Sequence, residues 1–217
     1  MDTHSDRQVE VLPNPGLDRP HFEVLNSIVL KKMASAGSVS SATGLPLTQV
    51  EAMMGDLEQA GLIVLVGEQA LAGDSALQSV TDFAAGCYAE LRADDAINRL
   101  ADQFEVVNKR FLDVLANWHQ VDVGGRRVTN DHADPEYDAK VITQLDRTVQ
   151  RLCDILRELA EREPRFERYA RRLDTAMRKV DEGDVAYVST PTVDSVHNVW
   201  FEFHEDLLRT MGRARKE

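Results

Sequence analysis

Apolar residues recur at helical spacing over residues 21–33, where Phe22, Leu25, Ile28, Val29 and Met33 fall on one face and Gly37 stands just past the predicted end. A short helix over residues 38–43 follows, closed by Gly44. A third begins near Leu47: Thr48 and Glu51 fit a capping box, Val50, Met53, Met54 and Leu57 form the apolar stripe, and Gly61 suits a left-handed cap. The runs LIVLV and QALA around Gly67-Glu68 then predict a small hairpin. Beyond Gly73 the apolar positions belong to longer helices. Residues 76–92 make one candidate. Residues 97–118 make a clearer one, with Ile97, Leu100, Phe104, Val107, Phe111 and Trp118 alternating by three and four. QVDVGGRRVTNDHADPE reads as an irregular loop. Helices resume over 137–163, from Pro164 at an N1 position to Val180, and over 192–212 with the stripe Val193, Val196, Trp200, Phe203 and Leu207.

This order predicts a mainly α protein: a flexible arm (1–18), a winged helix-turn-helix domain (19–74), and a four- to five-helix bundle domain (75–217). The arm carries Pro13, Pro15 and Gly16. At 217 residues and 43% hydrophobic content the chain can support an ordinary core. Cys87 and Cys153 stand far apart in helical pattern with no CxxC, so they read as buried thiols rather than a disulfide or metal framework. No apolar run is long enough to cross a membrane and the first residues do not resemble a signal, so a cytoplasmic protein is expected.

Charge changes the picture. A winged helix ordinarily holds DNA, yet the formal net charge is −12, and from Met33 through Leu91 there is no Lys or Arg. Phosphate affinity comes mostly from cations releasing counterions. Glu51, Asp56 and Glu58 would instead be brought toward the duplex. Thr48 and Gln49 could still reach base edges, with Lys31, Lys32 or Arg19 on phosphate, but the shape equally suits packing against protein.

The densest polar chemistry lies in TNDHADPEYD and DSVHNVWFEFHEDLL. His197 and His204, seven apart, align on one helical face, with Asp194 and Glu205 on the adjoining ridge and Trp200 in the stripe between. If Asn130, Asp131 and His132 fold over that edge, imidazoles and carboxylates could converge as a ligand, interface or acid/base site. A metal site on His132, Asp194, His197 and His204 is the weakest version. Equally, Asp194 favours a helix dipole, the histidines are boundary residues, and Asn130 and Asp131 form turns. The run REPRFERYARRL, with Arg147, Arg151, Arg157 and Arg178, reads first as a solvated face with acid pairs and second as a groove for a phosphate-bearing ligand. No phosphate loop, GxSxG or HExxH is present, so no complete enzyme and no cofactor are predicted.

RFLDVLANWHQ, NDHADPEYD, PRFERYARRLDTAMRKVDEGD and DSVHNVWFEFHEDLLRTMGRARKE together resemble the helical region that follows a winged-helix segment in actinobacterial proteins similar to pyruvate, phosphate dikinase and phosphoenolpyruvate synthase. The resemblance spans the chain from about Pro20. Its best-matching positions are Asn130, Asp131, His132, Asp134, Tyr137, Asp138, Asp194, His197, Trp200, Glu202, His204 and Glu205. His119 departs from it. Such enzymes pass a phosphoryl group through a phosphohistidine between an ATP-grasp domain and an acceptor-binding domain, and this chain carries neither motif. The resemblance therefore implies a non-catalytic accessory or regulatory subunit that docks on a separately encoded dikinase-like phosphotransferase. The alternative is a MarR-like transcriptional regulator, with the helical domain for dimerisation or effector sensing; that label rests on fold analogy.

Overall fold

The computed structural model describes residues 17–215. The predicted arm lies outside the described residues except for Leu17 and Asp18. The chain is mainly helical, with two small antiparallel sheets.

Helix α1 (Arg19–Lys31) starts where Asp18 accepts the His21 amide, 2.9 Å, and Pro20 occupies the first turn. Lys32, at φ 65°, stops it. Met33, predicted in the helical stripe, instead opens strand β1 (Met33–Ser35), which the sequence reading missed. Ser35 then caps α2 (Ala36–Thr43), so Gly37 lies inside that helix rather than ending the first. Gly44, at φ 77°, closes it as predicted. Helix α3 (Leu47–Gln59) has Pro46 at its N-cap and no side-chain cap among the described residues. The predicted capping box is not formed, because Thr48 already lies within the first turn. At the other end, Leu62 N–H donates to Leu57 O and Gly61 N–H to Glu58 O, with Gly61 left-handed, which satisfies the terminal carbonyls.

Strands β2 (Ile63–Val66) and β3 (Gln69–Ala72) form the predicted hairpin, and β1 adds to β3 to give the order β1-β3-β2. Gly73 follows against the α3–β2 junction. A Cβ there would lie 2.8 Å from Gly61 O, so only glycine fits the close approach.

The predicted helix over 76–92 is broken into α4 (Ala76–Cys87) and α5 (Ala89–Ala93). Between them Tyr88 leaves helical geometry and buries its ring beside Phe22. Ala76, Val80, Ala84 and Tyr88 complete the core of the three preceding helices and the sheet, which also contains Phe22, Leu25, Ile28, Val50 and Leu57. The first core thus continues past Gly73 to Tyr88, and we call residues 17–88 the N-terminal unit.

A second core joins α6 (Asp95–His119), α7 (Pro135–Ala160), α8 (Glu167–Asp181) and α10 (Val196–Met211), with a short α9 (Ala186–Ser189). We call this the helical unit. Pro164 opens a 3-10 turn (Pro164–Phe166) that leads into α8. The predicted irregular loop after α6 is ordered in part: β4 (Gln120–Val123) and β5 (Arg126–Thr129) pair across Gly124 and Gly125, at φ 62° and 82°. Two positive-φ glycines suit a two-residue hairpin turn. Trp200 stacks on Phe111 at 3.9 Å between centroids and its indole N–H donates to Asn108. Phe104 meets Phe203 edge-on. The cysteines are free, but contrary to expectation Cys87 is exposed and Cys153 only partly buried; burial still pushes the Cys153 thiol up to about 11. No helix among the described residues is long and apolar enough to cross a membrane.

Candidate functional site

The structure places the predicted site residues in separate groups. Asn130 is buried where β5 returns to the end of α6. Its side-chain amide donates to Trp118 O (3.0 Å) and Asp138 Oδ1 (3.0 Å), and its Oδ1 accepts the His132 amide. His132, at φ 59°, packs on the Trp118 ring and pairs through Nδ1 with Asp138 Oδ2 at 3.0 Å. Asp131 accepts the Ala133 amide, Asp134 caps α7, and Tyr137 donates its hydroxyl to Asn117 O. These groups clamp the hairpin onto two helix ends.

On α10 the two histidines face different neighbours. His204 pairs through Nε2 with Glu105 Oε1 at 3.1 Å and lies edge-on to Phe104. Burial holds its pKa below the ordinary histidine value despite that carboxylate. His197 lies near Phe111, its pKa also lowered, first by burial and then by His119. The His204 contact at Phe104 and the His132 contact at Trp118 stand fourteen residues apart on α6. That is about 21 Å at 1.5 Å per residue. Glu205 pairs outward with Arg215. His132, Asp194, His197 and His204 therefore do not gather, and no cluster of three or more such residues able to hold a metal occurs among the described residues.

Charge converges elsewhere, at the seam between the two units. The Arg-rich run predicted as a solvated face turns inward: Arg165, Arg168 and Arg172 are all buried. Their three- and four-residue spacing sets them beside Tyr169 on the face that meets α1 and α10. Fully buried Asp206 is the centre of one group. It pairs with Arg165, accepts from Tyr169 Oη (2.8 Å) and from Asn26 Nδ2 of α1 (2.8 Å), and lies 3.7 Å from Arg168. Burial alone would raise the Asp206 pKa, but Arg165 and Arg168 outweigh it and hold the carboxyl below its ordinary value. Arg165 Nε also donates to the Tyr88 hydroxyl, whose pKa burial pushes up to about 12. Around the rim, Arg168 pairs with Glu23 and Arg19 with Glu163.

A second group ties Lys31 of α1 to the helical unit. Its Nζ reaches Asp194 at 3.0 Å and Glu202 at 2.8 Å, and Arg172 bridges the same two carboxylates at 3.0 and 2.7 Å. Burial raises the Asp194 pKa, yet Arg172 and Lys31 together bring it below the ordinary value. Asp194 thus serves the seam rather than a histidine site, and Lys31, a candidate phosphate contact, is held inside the molecule. Lys32, Thr48 and Gln49 remain exposed.

Sequence reasoning missed Asp206, Arg165 and Arg168 as partners. The signal was a polar stripe beside each apolar one: Glu202, Asp206 and Thr210 on α10, Arg165, Arg168 and Arg172 leading into α8, and Glu23, Asn26 and Lys31 on α1. Comparison with protein-family models, curated proteins and solved structures finds no match to this chain.

Proposed function

We propose that this chain is a non-catalytic accessory or regulatory subunit whose N-terminal unit is a winged helix that meets protein rather than DNA, and whose helical unit is a bundle carrying it. The order α1-β1-α2-α3-β2-β3, with the sheet order β1-β3-β2, supports the winged-helix reading. The observation that carries the docking reading is the outer surface of that unit. Met33, Leu71 and Val64 lie opposite one another across the sheet, so they share a face, and Val66 joins it two positions along. Met33, Val64 and Val66 are 59%, 54% and 61% exposed. Beside them α3 exposes Leu47, Glu51, Asp56 and Glu58. An apolar face flanked by carboxylates fits a protein surface with apolar and basic groups and repels a phosphate backbone.

The described cations of this unit are Arg19, Lys31 and Lys32, and the first two are engaged by Glu163, Glu23, Asp194 and Glu202. The sequence resemblance supplies the partner class: a dikinase-like phosphotransferase encoded separately. Affinity capture of tagged protein from its native cells, with and without nuclease, tests this. Nuclease-resistant recovery of an ATP-grasp or phosphohistidine-bearing polypeptide is expected, together with a change in that polypeptide's phosphotransfer when this chain is added. Unchanged phosphotransfer counts against the reading.

Exposure of Thr48 and Gln49 at the start of α3 favours one other reading, a MarR-like regulator that reads bases there. Recovery of discrete DNA sites, lost on Thr48→Ala with Gln49→Ala, would select it.

A further inference from the structure

A cleft of about 1120 Å³ opens between the two units. The end of α1, β1 and α2 form one wall, and α8 with the start of α10 and the segment before it form the other. This is large enough for an organic ligand of metabolite size. Its lining carries more cations than carboxylates. Lys31 and Arg172 already match Asp194 and Glu202, and Arg168 is matched by Glu23. Lys32 and Arg171 also line the cleft; both are exposed, and their side chains make no ion pair or hydrogen bond among the described residues. Two unmatched cations thus border one cleft in a chain of formal net charge −12.

A second observation concerns Arg172, which also lines the cleft and whose side chain is only 8% exposed. Its Nε donates to Asp194 and its Nη1 to Glu202, while Nη2 is closed to solvent and has no acceptor among the described residues. Buried donors in folded proteins nearly always find an acceptor. A guanidinium presents its donors as a planar fork suited to paired oxygens of a phosphate or carboxylate. The Arg172 guanidinium, 5.8 Å from the Tyr169 ring centroid, thus keeps one donor unpaired beside the cleft, which two free cations also line.

We propose that this cleft binds a small phosphate-bearing molecule, with Lys32 and Arg171 balancing the phosphate charge, the Arg172 guanidinium turning so that Nη2 donates to one of its oxygens, and its organic part lying against Tyr187 and Phe201. A phosphate monoester carries about −1.5 to −2 at neutral pH, which matches the two free cations better than a single carboxylate does. Since the walls belong to different units, occupancy fastens one to the other. The inference is independent of whether the N-terminal unit meets protein or DNA.

Calorimetric titration of the full chain with pyrophosphate, at ionic strength matched by chloride, tests it, with malonate as the dicarboxylate comparison. Saturable pyrophosphate binding is expected, weakened about tenfold or more by Lys32→Gln with Arg171→Gln. Both are exposed positions, so the fold should survive. Arg172→Lys keeps a cation between Asp194 and Glu202 but removes Nη2, and should also weaken binding; if it does not fold, the surface pair decides. Arg147→Gln with Arg151→Gln, in the α6–α7 groove, should leave binding unchanged. Absence of saturable binding, equal binding by the Lys32/Arg171 variant, loss in the Arg147/Arg151 variant, or tighter binding of malonate would each overturn the assignment.

Discussion

The two sides of the N-terminal unit treat charge in opposite ways. Its inner side, along α1, meets the helical unit through Asn26, Glu23 and Lys31, held by Asp206, Arg168 and Glu202 on α10 and α8. Its outer side, α3 and the β2–β3 hairpin, exposes carboxylates and valines, and there is no Lys or Arg from Met33 through Leu91. Cations sit where the two units join and are missing where a winged helix would face DNA. The contrast explains how a strongly acidic chain can bury several arginines: each has a carboxylate from another element, and the fixed hydrogen bonds offset desolvation.

The inner side should be the more sensitive to substitution. Asp206→Ala leaves Arg165, Tyr169 and Asn26 without their shared acceptor, and removing one partner of a buried pair costs about 3–5 kcal/mol. Urea unfolding should show that loss, whereas Glu51→Ala on α3 should be nearly neutral. A comparable cost for Glu51→Ala would break the comparison. Gly73→Ala comes next, because its Cβ meets Gly61 O at 2.8 Å; overpacking against backbone should cost about 1–3 kcal/mol. Asp18→Ala, which removes the α1 cap, should cost about 1 kcal/mol by the same measurement.

Protonation separates the units with smaller effects. Burial lowers the His21 pKa, but Asp18 and Asp56 outweigh it and raise it above 6.5, so its contribution is complete below 6.5 and fades as pH rises through the folded-state value. His197 and His204 lie below 6.5, so their neutral forms favour the fold at higher pH, and stability is lost as pH falls from 6.5 through their folded-state values. Imidazole NMR titration should find that His21 loses its proton at higher pH than His197 and His204. The reverse order would overturn the assigned surroundings.

Much of this architecture was legible in periodicity. The stripes of α3 and α6, the left-handed Gly44 and Gly61, and the Gly67 hairpin follow from local rules that need no distant partner. The misreadings came where tertiary contacts decide. Met33 continues a helical stripe on paper, yet pairing with Leu71 takes it into β1. Tyr88 breaks a helix to reach Phe22 and Arg165. At the candidate site, single residue types misled: His132, His197 and His204 drew attention as chemistry-bearing groups, although contacts spread along α6 keep His132 and His204 apart. Arg165 through Arg172 looked solvated because arginine usually is, and only the matching polar stripe on α10 could have suggested burial.

Titration of labelled random-sequence duplex DNA with the protein at low salt, followed by fluorescence anisotropy, tests the central claim most directly. A surface without free cations should give no saturable binding, even where non-specific association of nucleic-acid-binding proteins is strongest. Saturable binding that weakens steeply with added salt, and that Thr48→Ala with Gln49→Ala abolishes at a selected site, would contradict the protein-docking account.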